Sequence, residues 1–118
     1  PAPNVAKVFN VIGEVEGSDV IILDDMIDTA GTIIQSVEAL KRDGARRIFA
    51  ACTHPILSGQ AKERVKLSSL ENLVVTNTIP VNEELNAIEK VIVLSVAELF
   101  GEAIKRIHEG SSVSSLFT

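Results

Sequence analysis

Two adjacent aspartates, Asp24 and Asp25, close the aliphatic run Val20-Ile21-Ile22-Leu23, and a short step later comes Asp28-Thr29-Ala30-Gly31-Thr32. Neighbouring ionised carboxylates repel each other. They need a divalent cation or the hydroxyl donors of a ligand, such as a sugar diol, to offset that repulsion. The second run has the opposite character. Its small residues let a ligand approach the backbone, and the amides of a following helix, with the helix dipole behind them, favour an anion. The threonine hydroxyls add further donors. One subsite therefore suits a diol or cation and the other a phosphate. A sugar phosphate carries both features on one molecule. The sequence contains neither G-x-x-x-x-G-K-[ST] nor G-x-G-x-x-G, which excludes a P-loop and a dinucleotide fingerprint as the phosphate cradle.

The elements that must hold these residues are legible from periodicity. Val20–Leu23 reads as a strand buried on both faces and central in a parallel sheet. Ile33, Val37 and Leu40 fall at helical spacing over 32–42, with Gly44 as the stop signal. Arg47–Cys52 reads as a second strand broken by His54-Pro55, followed by a polar helix from Ser58 or Gly59 to about Leu67. Leu73–Thr76 and Val91–Leu94 are further strands, and one or two short strands are expected within Val5–Val15. Ser95 with Glu98 forms a capping-box pattern before a helix that aligns Leu99, Phe100, Ala103, Ile104 and Ile107. Strands alternating with helices imply an α/β fold, a mainly parallel sheet with helices on both faces. In such folds ligands gather outside the carboxyl ends of the strands, where Asp24 and Asp25 stand.

With 118 residues, the chain is one domain at most. A net charge of −5 and a pI near 5.0 argue against nucleic acid or an anionic membrane as partner. No apolar run reaches spanning length. Cys52 is the sole cysteine, so no internal disulfide forms, and a reducing, cytoplasmic setting is expected. The opening Pro1-Ala2-Pro3 reads as a linker, so the chain is expected to begin inside a larger protein. His54 lies at the same sheet edge as the aspartates, as a loop-shaping residue or a ligand contact. His108 suits a helix end, and Cys52 a buried small hydrophobe. Arg42, Arg46 and Arg47 read as a solvated cluster. Ser112-Val113-Ser114 offers donors for an anion, or is a polar terminus.

VIILDDMIDTAGT, Val20 to Thr32, resembles the phosphoribosyl-diphosphate motif of type I phosphoribosyltransferases and ribose-phosphate pyrophosphokinases. VIGEVEGSDVIILDDMIDTAGT, GARRIFAACTHPILSGQA, LVVTNTIP and the terminal SVSSLF together resemble the carboxyl-terminal domain of the pyrophosphokinases, from Pro3 onwards. The resemblance implies that residues 1–118 form a phosphoribosyltransferase-like domain. Its enzyme would transfer diphosphate from ATP, with Mg2+, to the anomeric hydroxyl of ribose 5-phosphate, giving phosphoribosyl diphosphate and AMP. Asp24 would hold the ribose hydroxyls, with Asp25 helping with hydroxyls or magnesium. Asp28, Thr29, Ala30, Gly31 and Thr32 would surround the 5-phosphate, the Asp28 side chain turned back onto loop amides. In the family the catalytic Lys/Arg loop precedes the stretch matching Pro1–Asn4, and the ATP site with its magnesium-binding histidine and aspartate lies in an amino-terminal domain. No catalytic residue is therefore assigned in this chain, no metal ligand is fixed, and the chain alone is expected to be inactive. Ser112, Val113 and Ser114 would contribute to an allosteric site for ADP and phosphate between subunits of a homo-oligomer, a hexamer in the family. A non-catalytic regulatory relative is the alternative; it would carry a disrupted motif, and this one is intact. A phosphoribosyltransferase proper would need a base-binding hood that this length does not supply.

Overall fold

The computed structural model describes residues 11–118. Val5–Asn10, where strands are expected, lie outside the described residues, and 11–15 form no strand. Four strands, β1 (Asp19–Ile27), β2 (Arg47–Pro55), β3 (Asn72–Thr76) and β4 (Val91–Leu94), form one sheet in the order β1-β2-β3-β4. All three pairings are parallel. Each crossover carries a helix: α1 (Gly31–Arg42), α2 (Ala61–Leu67) and the single turn α3 (Glu83–Asn86). A longer helix, α4 (Ala97–Glu109), follows β4, and a 3-10 turn, Ser114–Phe117, ends the chain.

Right-handed crossovers that always step in the same direction put their helices on one face of the sheet. The core is on that face. Ile48, Ala50 and Cys52 of β2 and Leu73 and Val75 of β3 pack with Ile33 and Val37 of α1, Ala61 and Val65 of α2, and Leu85 of α3. Successive strand residues point to opposite faces, so Ile21 and Leu23 of β1 look the other way. Ile21 is 66% and Leu23 78% exposed. Ile92 and Leu94 of β4 are exposed too, and no residue of α4 is buried.

This corrects two expectations. Among the described residues, β1 is an edge strand rather than central, because the sequential strand order leaves the first strand with one neighbour. Helices α1–α3 cover one face of the sheet, and the other is uncovered among the described residues. The aliphatic run of Val20–Leu23 is accordingly buried on one side only. The α/β class and the parallel sheet stand as read.

Local signals explain most boundaries. Gly44, at φ 91°, ends α1 in the left-handed region that an L side chain rarely adopts. Its N–H donates to Lys41 C=O at 3.1 Å and the Ala45 N–H to Leu40 C=O at 3.0 Å, the paired bonds of a Schellman motif. A Cβ on Gly44 would also stand 3.0 Å from Glu16 Cγ. Asn82, whose Oδ1 accepts from Leu85 N–H at 3.0 Å, starts α3, a helix too short for periodicity to reveal. The capping box expected at Ser95 is not formed: Ser95 Oγ accepts from Ala97 N–H at 3.2 Å, two residues on, while Val96 is the cap residue and α4 starts at Ala97.

At the amino end of the sheet, Arg46 and Arg47 both hold the Asp19 carboxylate, Arg46 through Nε at 2.9 Å and Nη2 at 2.7 Å. The arginine cluster is thus half an ion-pair network, joining β1 to β2 from the first residue of each strand. The guanidinium groups of Arg47 and then Arg46 hold the Asp19 carboxyl well below the usual carboxylate range. A carboxyl whose folded pKa is depressed contributes stability above its unfolded value, about 4, and that contribution fades as pH falls below it. Asp19→Asn is therefore expected to lower the urea midpoint at pH 7, with the difference from the wild type shrinking as the titration is repeated at progressively lower pH below about 4. A second expectation separates the two faces. Ile48→Ala empties a fully buried site and should cost about 2–5 kcal/mol. Leu23→Ala, on the open face, should stay within about 0.5 kcal/mol, both read by denaturant unfolding.

Candidate functional site

β1 runs four residues past its aliphatic stretch, so Asp24 and Asp25 belong to the strand itself. Asp24 pairs with Cys52 and Met26 with His54 across the ladder to β2. At Asp28 the chain leaves the sheet and enters α1, whose first residue is Gly31. Asp24, Met26, Ile27 and the complete run Asp28, Thr29, Ala30, Gly31 and Thr32 line a cleft of about 270 Å³. The sequence pattern thus gathers around one hollow at the carboxyl edge, with Asp25 alone outside its lining.

The two carboxylates are partly satisfied by the strand's own amides. Asp24 Oδ1 accepts from Asp25 N–H at 2.8 Å, and Asp25 Oδ1 accepts from Met26 N–H at 2.8 Å. Hydrogen bonding with the Asp24 carboxyl, then the Met26 amide, holds the Asp25 carboxyl below its usual range. Both side chains are exposed, and no group of three potential metal ligands forms among the described residues.

The loop presents its amides. Among the described residues, no backbone acceptor is found for the N–H groups of Thr29, Ala30, Gly31 and Thr32, and the first bond of α1 runs from Ile34 N–H to Ala30 C=O at 3.0 Å. Ala30 sits at φ 64°, ψ 2°, in the left-handed region, with its methyl group in the core. That conformation costs an alanine about 1–2 kcal/mol and turns successive amides toward one point, an anion-receiving concavity.

The sequence-based expectation that the Asp28 side chain turns back onto the loop amides is corrected. The Asp28 carboxylate accepts from the Ser58 hydroxyl, while Ser58 N–H donates to Asp28 C=O at 3.0 Å and Leu57 N–H to Ile27 C=O at 3.0 Å. The β2–α2 loop therefore braces the β1–α1 loop and draws the Asp28 charge aside. Ser58 and Arg64, whose Nη1 donates to Thr29 C=O at 2.8 Å, are the site residues that sequence reasoning missed. Both stand about thirty positions from the motif, in and just after the stretch PILSGQA, and no local spacing connects them to it.

His54 is half-buried, with Nδ1 2.8 Å from Thr78 Oγ1, and the Thr78 hydroxyl donates to Thr53 C=O at 3.1 Å. It joins the end of β2 to the segment after β3, in keeping with a loop-shaping role. Ser112 and Ser114 bond each other, Oγ to Oγ at 2.8 Å, beside half-buried Val113. Arg106 of α4 donates to Ser112 C=O and to the Ser115 hydroxyl, so the tail is ordered on its own chain, although Phe117 remains 70% exposed.

An acid-bearing strand end feeds an amide-lined loop at the carboxyl edge of a parallel sheet, an α/β fold of the phosphoribosyltransferase type. The crystal structure of phosphoribosylpyrophosphate synthetase from Mycobacterium smegmatis superimposes with a TM-score of 0.81 at 38% identity, covering 85% of this chain and 33% of that one. The profile of the phosphoribosyl synthetase-associated domain matches residues 2–118, and the chain belongs to that family. It is 56% identical over 117 residues to the ribose-phosphate pyrophosphokinase of Halalkalibacterium halodurans, covering 99% of this chain and 37% of the relative. The ribose-phosphate pyrophosphokinase of Bordetella pertussis is 55% identical, with 38% of its length covered. The chain thus spans little more than a third of these relatives. No helix of the described residues is long and apolar enough to cross a membrane.

Cys52 gives a test of the packing beneath the cleft. Burial, ahead of the nearby Asp24 charge, pushes its thiol up to about 11. Since the thiolate is the reactive species, Cys52 should react slowly with a disulfide reagent at pH 8 in the native chain and fast in denaturant. Equal rates in both would show that β2 does not bury it.

Proposed function

We propose that this chain is the ribose 5-phosphate-binding part of a ribose-phosphate diphosphokinase. The observation that carries the reading is the Asp28–Thr32 loop, whose amides lack backbone partners and open into the cleft that Asp24 borders. The 5-phosphate takes the amides of Thr29 to Thr32, where the dipole of α1 favours negative charge. Asp24 accepts from the ribose hydroxyls, which orients the anomeric oxygen away from the loop. Ser58 keeps the Asp28 carboxylate from facing the phosphate.

In the reaction the anomeric hydroxyl oxygen attacks the β-phosphorus of ATP and releases its proton to solvent, the bond from that phosphorus to the oxygen on the α-phosphorus breaks, and AMP leaves. Bound Mg2+ supplies charge neutralisation for the triphosphate. Magnesium is commonly held by one or two carboxylates together with substrate phosphates, and Asp25, beside Asp24, would help with hydroxyls or magnesium. The contribution of this chain is positioning: a fixed acceptor next to a donor brought by other parts of the enzyme. We place the ATP pocket and the cationic groups around it outside residues 1–118, and we take ADP and phosphate as effectors at Ser112–Ser114 in a homo-oligomer.

Binding and chemistry are tested separately. The chain should bind ribose 5-phosphate with roughly millimolar affinity, because a few amide–phosphate bonds contribute about 1.5–3 kcal/mol each at best, and catalysis by the chain alone should be undetectable. A Cβ on Gly31 would meet only Arg64 Nη1 and Thr29 Oγ1, both at 3.8 Å, so the fold has room for a side chain there. Gly31→Val should therefore keep the native circular dichroism spectrum while weakening ribose 5-phosphate binding at least tenfold by calorimetry, about 1.4 kcal/mol. Wild-type affinity in that variant would remove the loop from the site.

A further inference from the structure

The loop conformation needs a cause. Ala30 occupies the left-handed region, which alanine does not choose unaided, and the amides beside it stay out of the helix ladder. In a regular helical turn the Thr29 carbonyl would accept from Ile33 N–H. Here it accepts instead from Arg64 Nη1 at 2.8 Å. Arg64 rises from α2, which Ala61 and Val65 anchor in the core, so the donor reaches the loop from a fixed element. The same nitrogen lies 3.8 Å from where a Cβ on Gly31 would stand, which puts the guanidinium beside the first residue of α1.

A trans peptide is planar, and its C=O and N–H point in opposite directions. Thr29 C=O and Ala30 N–H belong to the same peptide. A donor that pulls the carbonyl toward α2 therefore turns the amide toward the cleft. We propose that Arg64 is a positioning residue of the anion loop: by holding the Thr29 carbonyl it aims the Ala30 N–H at the ligand phosphate and keeps Ala30 in its left-handed conformation. Without Arg64 the peptide is free to flip. The flipped peptide presents a carbonyl oxygen, with its partial negative charge, where the phosphate binds. Arginine suits this task because its planar fork is pre-organised. The inference rests on the sugar-phosphate reading of the loop.

The test uses the 15N-labelled chain titrated with inorganic phosphate and with ribose 5-phosphate. In the wild type the Ala30 and Gly31 amide resonances should shift on titration. Arg64 is exposed, so Arg64→Ala should leave the resonances of core residues such as Val37, Ile48 and Leu73 in place. It should weaken phosphate binding about tenfold or more, the scale of one charge-assisted bond, and abolish the Ala30 shift. Arg64→Lys, which keeps a donor for Thr29, should recover most of the affinity. If Arg64→Ala binds like the wild type with the Ala30 shift intact, the inference is overturned. If the alanine and lysine variants fail alike, the loss does not come from the bond to Thr29, and the inference falls as well. If the wild type itself shows no loop shift, the sugar-phosphate reading fails first.

Discussion

Parallel strands cannot be joined by tight turns, and this constraint shapes the rest of the molecule. Every link from one strand to the next must travel back along the sheet, and a helix is the compact way to do so. The strands' carboxyl ends then meet the helices' amino ends at one edge. Carbonyl-terminated strands supply side chains such as Asp24, and starting helices supply amides such as those of 29–32, which have no backbone partner among the described residues. Side-chain carboxylates and helix-start amides therefore share one edge before any ligand is considered.

The edge is stiffened by the next link along. The β2–α2 loop folds onto the β1–α1 loop through the Ser58 amide and hydroxyl, both on Asp28, and through Leu57 onto Ile27. Leu57, at φ 49°, is itself in the left-handed region and buried. Two loops that each hold an unfavourable backbone conformation are fixed against each other and against Arg64. Strain of this kind persists where surrounding contacts over-determine it, commonly at binding sites.

The open face of the sheet has a physical meaning of its own. Ile21, Leu23, Ile92 and Leu94 stand exposed on one side, and α4 carries Leu99, Phe100, Ile104 and Ile107 uncovered among the described residues. The chain spans little more than a third of the relatives it matches. The aliphatic alternation of β1 carries this information ambiguously: an unbroken apolar run is the same whether its second face is covered by this chain or by something else.

Much was fixed by the sequence on its own. The alternation of strands and helices, the position of β4, the close of α1 at Gly44 and the gathering of Asp24 and Asp28–Thr32 at one edge all follow from local pattern, because periodicity, turn chemistry and motif spacing act over a few residues. The edge position of β1, the one-sided helix layer, the four-residue α3 and the bracing of the loop by Ser58 and Arg64 did not. Those depend on which segments distant in the chain come together, and on the direction in which a single peptide is pulled. Only the packing of α2 beside α1 brings a guanidinium to the Thr29 carbonyl.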